Sequence, residues 1–307
     1  MTHQSFKISA SASTVVTPNW RTLRLAWVEA RPVVQVIFQL RLVVGALLAA
    51  GGLSGVTWGT MMTGASAWLF LTWSVYLVNG AADIVEDRSN GSNRPIARDD
   101  LSSVTAGRLA MLLGTLGLLF AAGVSERFFV LALLLLVLGW VYSTGPAPLK
   151  NTVAGVQVAV VGAGIVTYLA GMNAAGIPVN SAMLVFAVAM SAWMGIGGLA
   201  KDLSDIEGDR DAGRRTLPLI WGDRGAKIVV GLGAGAVGVA FVTGALICAP
   251  GLLGAACLVL AGGLGLAVSA LGRWSVGNRS RRRLPYRVFM ITQYSTHLLV
   301  LTDLVAW

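Results

Sequence analysis

Two short acidic segments carry the residues best able to do chemistry in this chain. The first reads Val78-Asn79-Gly80-Ala81-Ala82-Asp83-Ile84-Val85-Glu86-Asp87-Arg88 and is followed by Asn93-Arg94-Pro95. The second reads Lys201-Asp202-Leu203-Ser204-Asp205-Ile206-Glu207-Gly208-Asp209-Arg210-Asp211 and leads into Gly213-Arg214-Arg215-Thr216-Leu217-Pro218. On a continuous helix, positions i, i+4 and i+8 project from roughly one face, so Asn79, Asp83 and Asp87 are expected to form a column of oxygen ligands. Like charges at this spacing repel unless a cation sits between them, and hard oxygen ligands suit Mg²⁺ shared with substrate phosphates. Asp205 and Asp209 repeat the Asp83/Asp87 spacing 122 residues later. If the two clusters face each other, they can hold more than one Mg²⁺ ion around a diphosphate. The simpler alternative is a pair of solvated helix ends in which Asp caps a helix or pairs with Arg. Matched spacing on a common side of the molecule weighs against it.

The elements that position these segments follow from composition. Of the 307 residues, 55% are hydrophobic and 12% charged, against roughly a quarter charged in soluble domains, so the apolar surplus must face lipid. A span needs about 20 mainly apolar residues, and nine such stretches occur near 33–53, 57–82, 103–123, 127–144, 152–171, 181–201, 225–248, 252–272 and 286–306. With the N-terminus placed in the cytoplasm, 21 of the 23 Lys and Arg residues fall on the cytoplasmic side, as the positive-inside rule requires. Arg127 lies opposite and Arg41 falls within the first span. This predicts a multi-pass inner (plasma) membrane protein with its N-terminus cytoplasmic and its C-terminus outside. The basic residues lie between apolar spans rather than on a soluble module, which excludes a nucleic-acid partner. Residues 1–30 read as a disordered cytosolic tail without the features of a secretory signal, and 31–307 as one transmembrane helical domain. The four-span offset between the acidic segments suggests an all-α bundle of two four-helix halves plus one helix around a central cavity.

Taken together, Asn79-x₃-Asp83-x₃-Asp87 with Asn93-Arg94-Pro95, Tyr142-Ser143 to Pro148-Leu149-Lys150, and Lys201-Asp202-x₂-Asp205-Ile-Glu-Gly-Asp209 to Thr216-Leu217-Pro218 resemble the UbiA superfamily of intramembrane prenyltransferases. Arg31-Pro32 resembles the family's usual opening. The resemblance implies a Mg²⁺-dependent enzyme whose partners are a polyprenyl diphosphate, a small aromatic acceptor and the bilayer. It implies metal binding by Asn79, Asp83 and Asp87 on one side and by Asp202, Asp205 and Asp209 on the other, with Asp83, Asp87, Asp205 and Asp209 catalytic. Arg94, Lys150 and Lys201 would contact diphosphate oxygens, Asn79 would share in substrate binding, and Tyr142 would line the cavity. The physical logic agrees: breaking an allylic C–O bond leaves a carbocation and a highly charged diphosphate, which cations stabilise. Exclusion of water protects the carbocation, and Trp73, Tyr76, Tyr142 or Trp193 could face it, although packing and interfacial roles are the ordinary use of such residues.

The second motif looks more like the branches acting on homogentisate, related quinone precursors or archaeal glycerol-phosphate lipids than like the 4-hydroxybenzoate branch. Lipid-ether branches often carry Arg-Glu just before the Lys-Asp, where this chain has Gly198-Leu199-Ala200, which favours an uncharged aromatic acceptor or none. Two alternatives stay open: a membrane terpene cyclase that uses the same metal site without an acceptor, and a cation-coupled transporter, against which the placement of the acids at one face argues. Arg41 is a functional candidate as an intramembrane cation. His297 reads as a packed residue, Cys248 and Cys257 as packing cysteines, Arg279 to Arg283 as a topology and anionic-lipid signal and only secondarily as a lid over the diphosphate, and the formal GxGxxG at Gly233–Gly238 as close helix packing.

Overall fold

Apolar runs of this length, with proline confined to their first turns, satisfy their backbone only as helices in lipid. The protein's structure, a computed structural model, describes residues 19–305. Its helices are α1 (Trp20–Glu29), α2 (Pro32–Ala50), α3 (Trp58–Ala82), α4 (Ile84–Ser89), α5 (Ser103–Ala122), α6 (Glu126–Ser143), α7 (Val153–Ala175), α8 (Ser181–Asp202), α9 (Ile206–Asp211), α10 (Leu217–Cys248, broken at Gly222), α11 (Leu253–Leu271), α12 (Arg279–Arg282) and α13 (Leu284–Val305). Among the described residues nine segments are long and apolar enough to cross a membrane, and each overlaps one expected from sequence. Ser102, Ser125, Thr152 and Asn180 start α5, α6, α7 and α8 by accepting backbone amides of the first turn, which satisfies donors that lipid could not.

Besides a small cluster of α1, α3 and α5 around Leu77 and Leu109, two larger apolar clusters fill the bundle. One gathers α2, α3, α6 and α7 around Trp68 and Phe128; the other gathers α8, α10, α11 and α13 around Phe186, Trp193 and Phe241, with Tyr168 of α7 inserted. Close contact between α10 and α11 accounts for Gly238, where a Cβ would stand 2.6 Å from the Leu260 Cα. Cys248 and Cys257 are free and exposed, so they are not the packing cysteines expected.

Part of the disordered tail expected over residues 1–30 is helical. Residues 1–18 lie outside the described residues, but Trp20–Glu29 is helical, capped by Asn19. Trp27 meets Trp73 edge to face at 5.1 Å, and the Trp73 indole donates to the Ala26 carbonyl. Glu29 is fully buried because its carboxylate accepts the Ile96 amide and pairs with Arg94 Nε at 2.7 Å.

The ligand column expected along one helix is also interrupted. Chain direction changes at Asp83 (φ −102°, ψ 14°) and, in the same way, at Asp205 (φ −108°, ψ 18°). Each break is followed by a six-residue helix and a left-handed glycine, Gly91 (φ 60°) or Gly213 (φ 70°). The following amides, of Ser92 and Arg214, close back on the Asp87 and Asp209 carbonyls at 2.8 Å. The short helices α4 and α9 then lie against each other, with the Gly208 amide donating to Asn90 Oδ1 at 3.3 Å. Any Cβ at position 208 would run into the Asn90 side chain and the Glu86 carbonyl. The acidic motifs therefore meet by facing, not by stacking along a helix.

Candidate functional site

Two adjoining cavities open where α4 and α9 meet. The inner one, about 220 Å³, is walled mainly by apolar residues of α2, α3, α6, α7, α8 and α13, among them Phe38, Leu135, Leu138, Met194 and Phe289. The outer one, about 250 Å³, is almost wholly ionic and is lined by Asp83, Glu86, Asp87, Asp205 and Asp209 together with Arg31, Arg94, Lys201, Arg214, Arg279 and Arg283. Arg31, Asp83, Lys201 and Arg214 border both. A ligand with an anionic head and an apolar tail matches this division, because each part meets its own kind of surface across one boundary.

The acids are held by basic groups from distant parts of the chain. Asp83 accepts from Lys150 and, at 3.0 Å, from Arg214. Arg214 also pairs with Glu86 and lies 3.5 Å from Asp209, so one guanidinium ties both motifs. Asp87 pairs with Arg94 at 2.8 Å. Asp205 pairs with Lys201 at 2.7 Å and with Arg279 at 2.8 Å. Burial pushes Asp83 up, but Lys150 and Arg214 outweigh it and hold the carboxyl at about 2. Glu86 shares those two cations, and burial together with the Asp83 charge raises it to about 7. Burial likewise raises Asp205, yet Lys201 and Arg279 bring it below the usual carboxylate range, whereas Asp209 stays above it because burial dominates.

The expected site residues are not all used alike. Asn79, Asp83, Tyr142, Lys201 and Asp202 border the inner cavity, and Asp83, Asp87, Arg94, Lys201, Asp205 and Asp209 the outer. Lys150 borders neither; its ammonium stands behind Asp83 and donates also to the Ala82 carbonyl. Arg94 is anchored by Glu29 and by the Glu29 and Tyr76 carbonyls as well as Asp87. Of the aromatic residues, Tyr76 and Tyr142 reach the inner cavity, while Trp193 stacks on Phe289 and is fully buried behind it. Arg41 also borders the inner cavity. Sequence reasoning missed Arg31, Glu86 and Arg214 as site residues and gave Arg279 only a secondary place over the diphosphate. Arg214 stands one residue after Gly213 whereas Arg94 stands three after Gly91, so the repeat between the motifs did not mark it.

Among the described residues no three His, Cys, Asp or Glu side chains stand close enough to ligate one ion. The donor set still fits a hard cation. All six expected ligands are oxygen donors around the same two cavities, Asp209 Oδ2 is buried without a hydrogen-bond partner, and Lys201, the neighbour of Asp202, turns to Asp205 instead. An oxygen-only set of this kind matches Mg²⁺, which typically takes one or two carboxylates plus substrate phosphates.

The profile of the UbiA prenyltransferase family matches residues 40–292. The digeranylgeranylglyceryl phosphate synthase of Pyrococcus furiosus is 30% identical over 62% of this chain and 66% of its own length, just under two thirds of that protein. Diterpene cyclase eriG of Hericium erinaceus is 45% identical, over 14% of each chain. In fold, the chain is similar to a UbiA homolog from Archaeoglobus fulgidus bound to GPP and Mg²⁺, with a TM-score of 0.70, 19% identity, and coverage of 91% of this chain and 99% of that one.

Proposed function

The chain belongs to the UbiA prenyltransferase family, and on that premise we propose that it transfers a polyprenyl group from its diphosphate to an aromatic acceptor inside the membrane. The observation that carries this reading is the two-part cavity, ionic outside and apolar inside, with Arg31, Asp83, Lys201 and Arg214 at the boundary. The diphosphate sits in the ionic part. Arg31, Lys201 and Arg214 face its oxygens and stabilise charge as it builds on the leaving group. Asn79, Asp83 and Asp87 would hold Mg²⁺ from one side and Asp202, Asp205 and Asp209 from the other, and the ion would supply Lewis-acid neutralisation of the leaving diphosphate. Tyr76 and Tyr142 present ring faces or edges to the inner cavity where the allylic cation forms, and the apolar wall excludes water that would capture it. No side-chain nucleophile is required. The charge asymmetry of the loops supports a plasma-membrane protein with the ionic cavity and N-terminus cytoplasmic and the C-terminus outside.

A second reading, a glycerol-phosphate lipid as acceptor, is favoured by the name of the Pyrococcus relative. Against it, Gly198 lines the cavity and Leu199 and Ala200 are buried, so that stretch supplies no cation for another phosphate. The short match to eriG keeps acceptor-free cyclisation as a further outcome. The test incubates purified protein with geranyl, farnesyl or geranylgeranyl diphosphate, with Mg²⁺ or with EDTA, and with aromatic, glycerol-phosphate or no acceptor. A prenylated aromatic product with released diphosphate, lost in EDTA and reduced about 10²-fold or more by Asp83→Ala or Asp205→Ala, is expected. Absence of diphosphate release under every condition would sink the proposal and leave the transporter alternative; product formed without an acceptor would select the cyclase.

A further inference from the structure

Glu29, the last residue of α1, stands ahead of residues 40–292, the stretch that matches the family profile, yet it reaches the first acidic motif. The residue is wholly buried, which a carboxylate tolerates only when it is paired and hydrogen-bonded. Its Oε2 accepts the Ile96 amide at 2.9 Å, and its Oε1 lies 2.7 Å from Arg94 Nε. The same carboxylate packs on Gly80, between Asn79 and Asp83, where any Cβ would run into Oε1 and the Arg94 guanidinium. Trp73 of α3 holds α1 in this place, through the Trp27 ring and the Ala26 carbonyl.

This pairing sets Arg94 apart from the other cations on the motif acids. Among the described residues Lys150, Lys201, Arg214 and Arg279 pair only with acids of the two motifs. Arg94 divides its guanidinium between Asp87, 2.8 Å from Nη1, and Glu29, which lies outside the motifs. It also donates to the Glu29 and Tyr76 carbonyls at 3.2 and 3.3 Å. A guanidinium on Asp87 competes with a metal ion for the carboxylate oxygens. If Asp87 were its sole acid, Arg94 would become a buried, uncompensated cation whenever Asp87 turned to the metal, and that cost would count against metal binding. Glu29 removes the cost, because it keeps a counter-charge on the Nε edge of Arg94 whichever way Asp87 points.

We propose that Glu29 is a positioning residue that holds Arg94 and so releases Asp87 to bind the metal. This rests on the prenyl-transfer reading only in taking Asp87 as a Mg²⁺ ligand. Groups that orient metal ligands without touching the ion change its affinity by roughly 10- to 100-fold when they are altered. An acid that merely anchored the end of α1 would make a different demand. The Ile96 amide needs an oxygen, which Gln also supplies, whereas the role on Arg94 needs the charge. Glu29→Gln keeps the volume, the oxygen and the Arg94–Asp87 pair, so the fold survives the change while the counter-charge is lost.

The test titrates Mg²⁺ into the full chain in detergent by calorimetry and measures, alongside, the Mg²⁺ dependence of diphosphate release from geranylgeranyl diphosphate. Glu29→Gln is expected to weaken Mg²⁺ binding ~10-fold or more. The Mg²⁺ concentration for half-maximal release should rise by the same factor, with the rate at saturating Mg²⁺ close to native. Glu29→Asp, which keeps the charge and loses reach, should retain part of the affinity. In an Arg94→Gln background the Glu29→Gln change should leave Mg²⁺ binding as it was. Unchanged Mg²⁺ affinity in Glu29→Gln would overturn the proposal, as would a lower maximal rate at an unchanged Mg²⁺ dependence, which marks a structural anchor. Equal weakening with and without the Arg94 charge would also overturn it, because Glu29 would then act on the ion directly. Diphosphate release without any prenylated product, with the Mg²⁺ shift intact, would remove the transfer reading and support the role of Glu29; prenyl transfer with no shift would remove that role alone.

Discussion

Among the described residues Arg214 is the one side chain that pairs with acids of both motifs, and its removal gives the sharpest test of how the site is held. The guanidinium is 5% exposed at the side chain and reaches Asp83, Glu86 and Asp209. Breaking a buried ion pair by deleting one partner costs about 3–5 kcal/mol, because the other charge is left uncompensated. Lys150 stays on Asp83 and lies 3.6 Å from Glu86, so Arg214→Ala should fall at the lower end, about 3 kcal/mol. Glu86→Gln removes the second carboxylate competing for the same cations, so the double variant should recover roughly 1–2 kcal/mol of that loss, a coupling of the size found for residues in one network. The assay is reversible unfolding in mild detergent for the native chain, both single variants and the double variant, with and without Mg²⁺. Mg²⁺ should stabilise Arg214→Ala more than the native chain, since a ligand that binds only the folded state stabilises it by mass action and the variant's carboxylates lack their internal counter-charge. Stability of Arg214→Ala within about 0.5 kcal/mol of the native chain, or strict additivity in the cycle, would refute this reasoning.

Two further outcomes follow from the same geometry. Gly208→Val adds atoms where α4 and α9 touch, against the Asn90 side chain and the Glu86 carbonyl; overpacking of this kind costs about 1–3 kcal/mol. Activity should fall while circular dichroism still shows a full complement of helix, and native activity in the variant would show that the approach of the motifs is unimportant. For pH, Glu86 has a folded value near 7 against an ordinary 4.5. Its contribution to stability is therefore complete below about 4.5 and is lost as pH rises through about 7. Unfolding free energy measured between those values should decline with rising pH in the native chain and decline less in Glu86→Gln; identical slopes would contradict the assignment.

The legible part of this protein was the part written in local spacing. Nine apolar stretches, the asymmetric loop charges and the repeat of Asp83/Asp87 at Asp205/Asp209 are all local patterns, and the structure returns the nine spans and the repeat. The helix breaks at Asp83 and Asp205 were not legible, because aspartate at i, i+4 is compatible with a continuous helix, and the left-handed glycines that close each turn lie eight residues beyond the break. The partners of the acids were less legible still. Glu86 and Arg214 are separated by 128 positions, and Glu29 and Arg94 by 65, and nothing in local sequence selects one arginine among several in a basic loop. The same limit applied to Arg41: sequence could mark an intramembrane cation as notable, but only packing shows that no acid approaches it. Arg94, by contrast, was expected at the diphosphate and is found bound by Glu29 and Asp87. That contrast separates two uses of basic residues in one cavity system. Cations already matched to internal acids, such as Arg94 and Lys150, set the shape of the site. Arg31 borders both cavities and has no acid within 4.0 Å among the described residues. It sits in a left-handed backbone conformation at φ 57°, which costs energy for a residue with a side chain. A strained, unpaired cation at the boundary of the ionic cavity is the group most available to an incoming anion, so the rank order of effects on diphosphate affinity should place Arg31→Ala above Lys150→Ala.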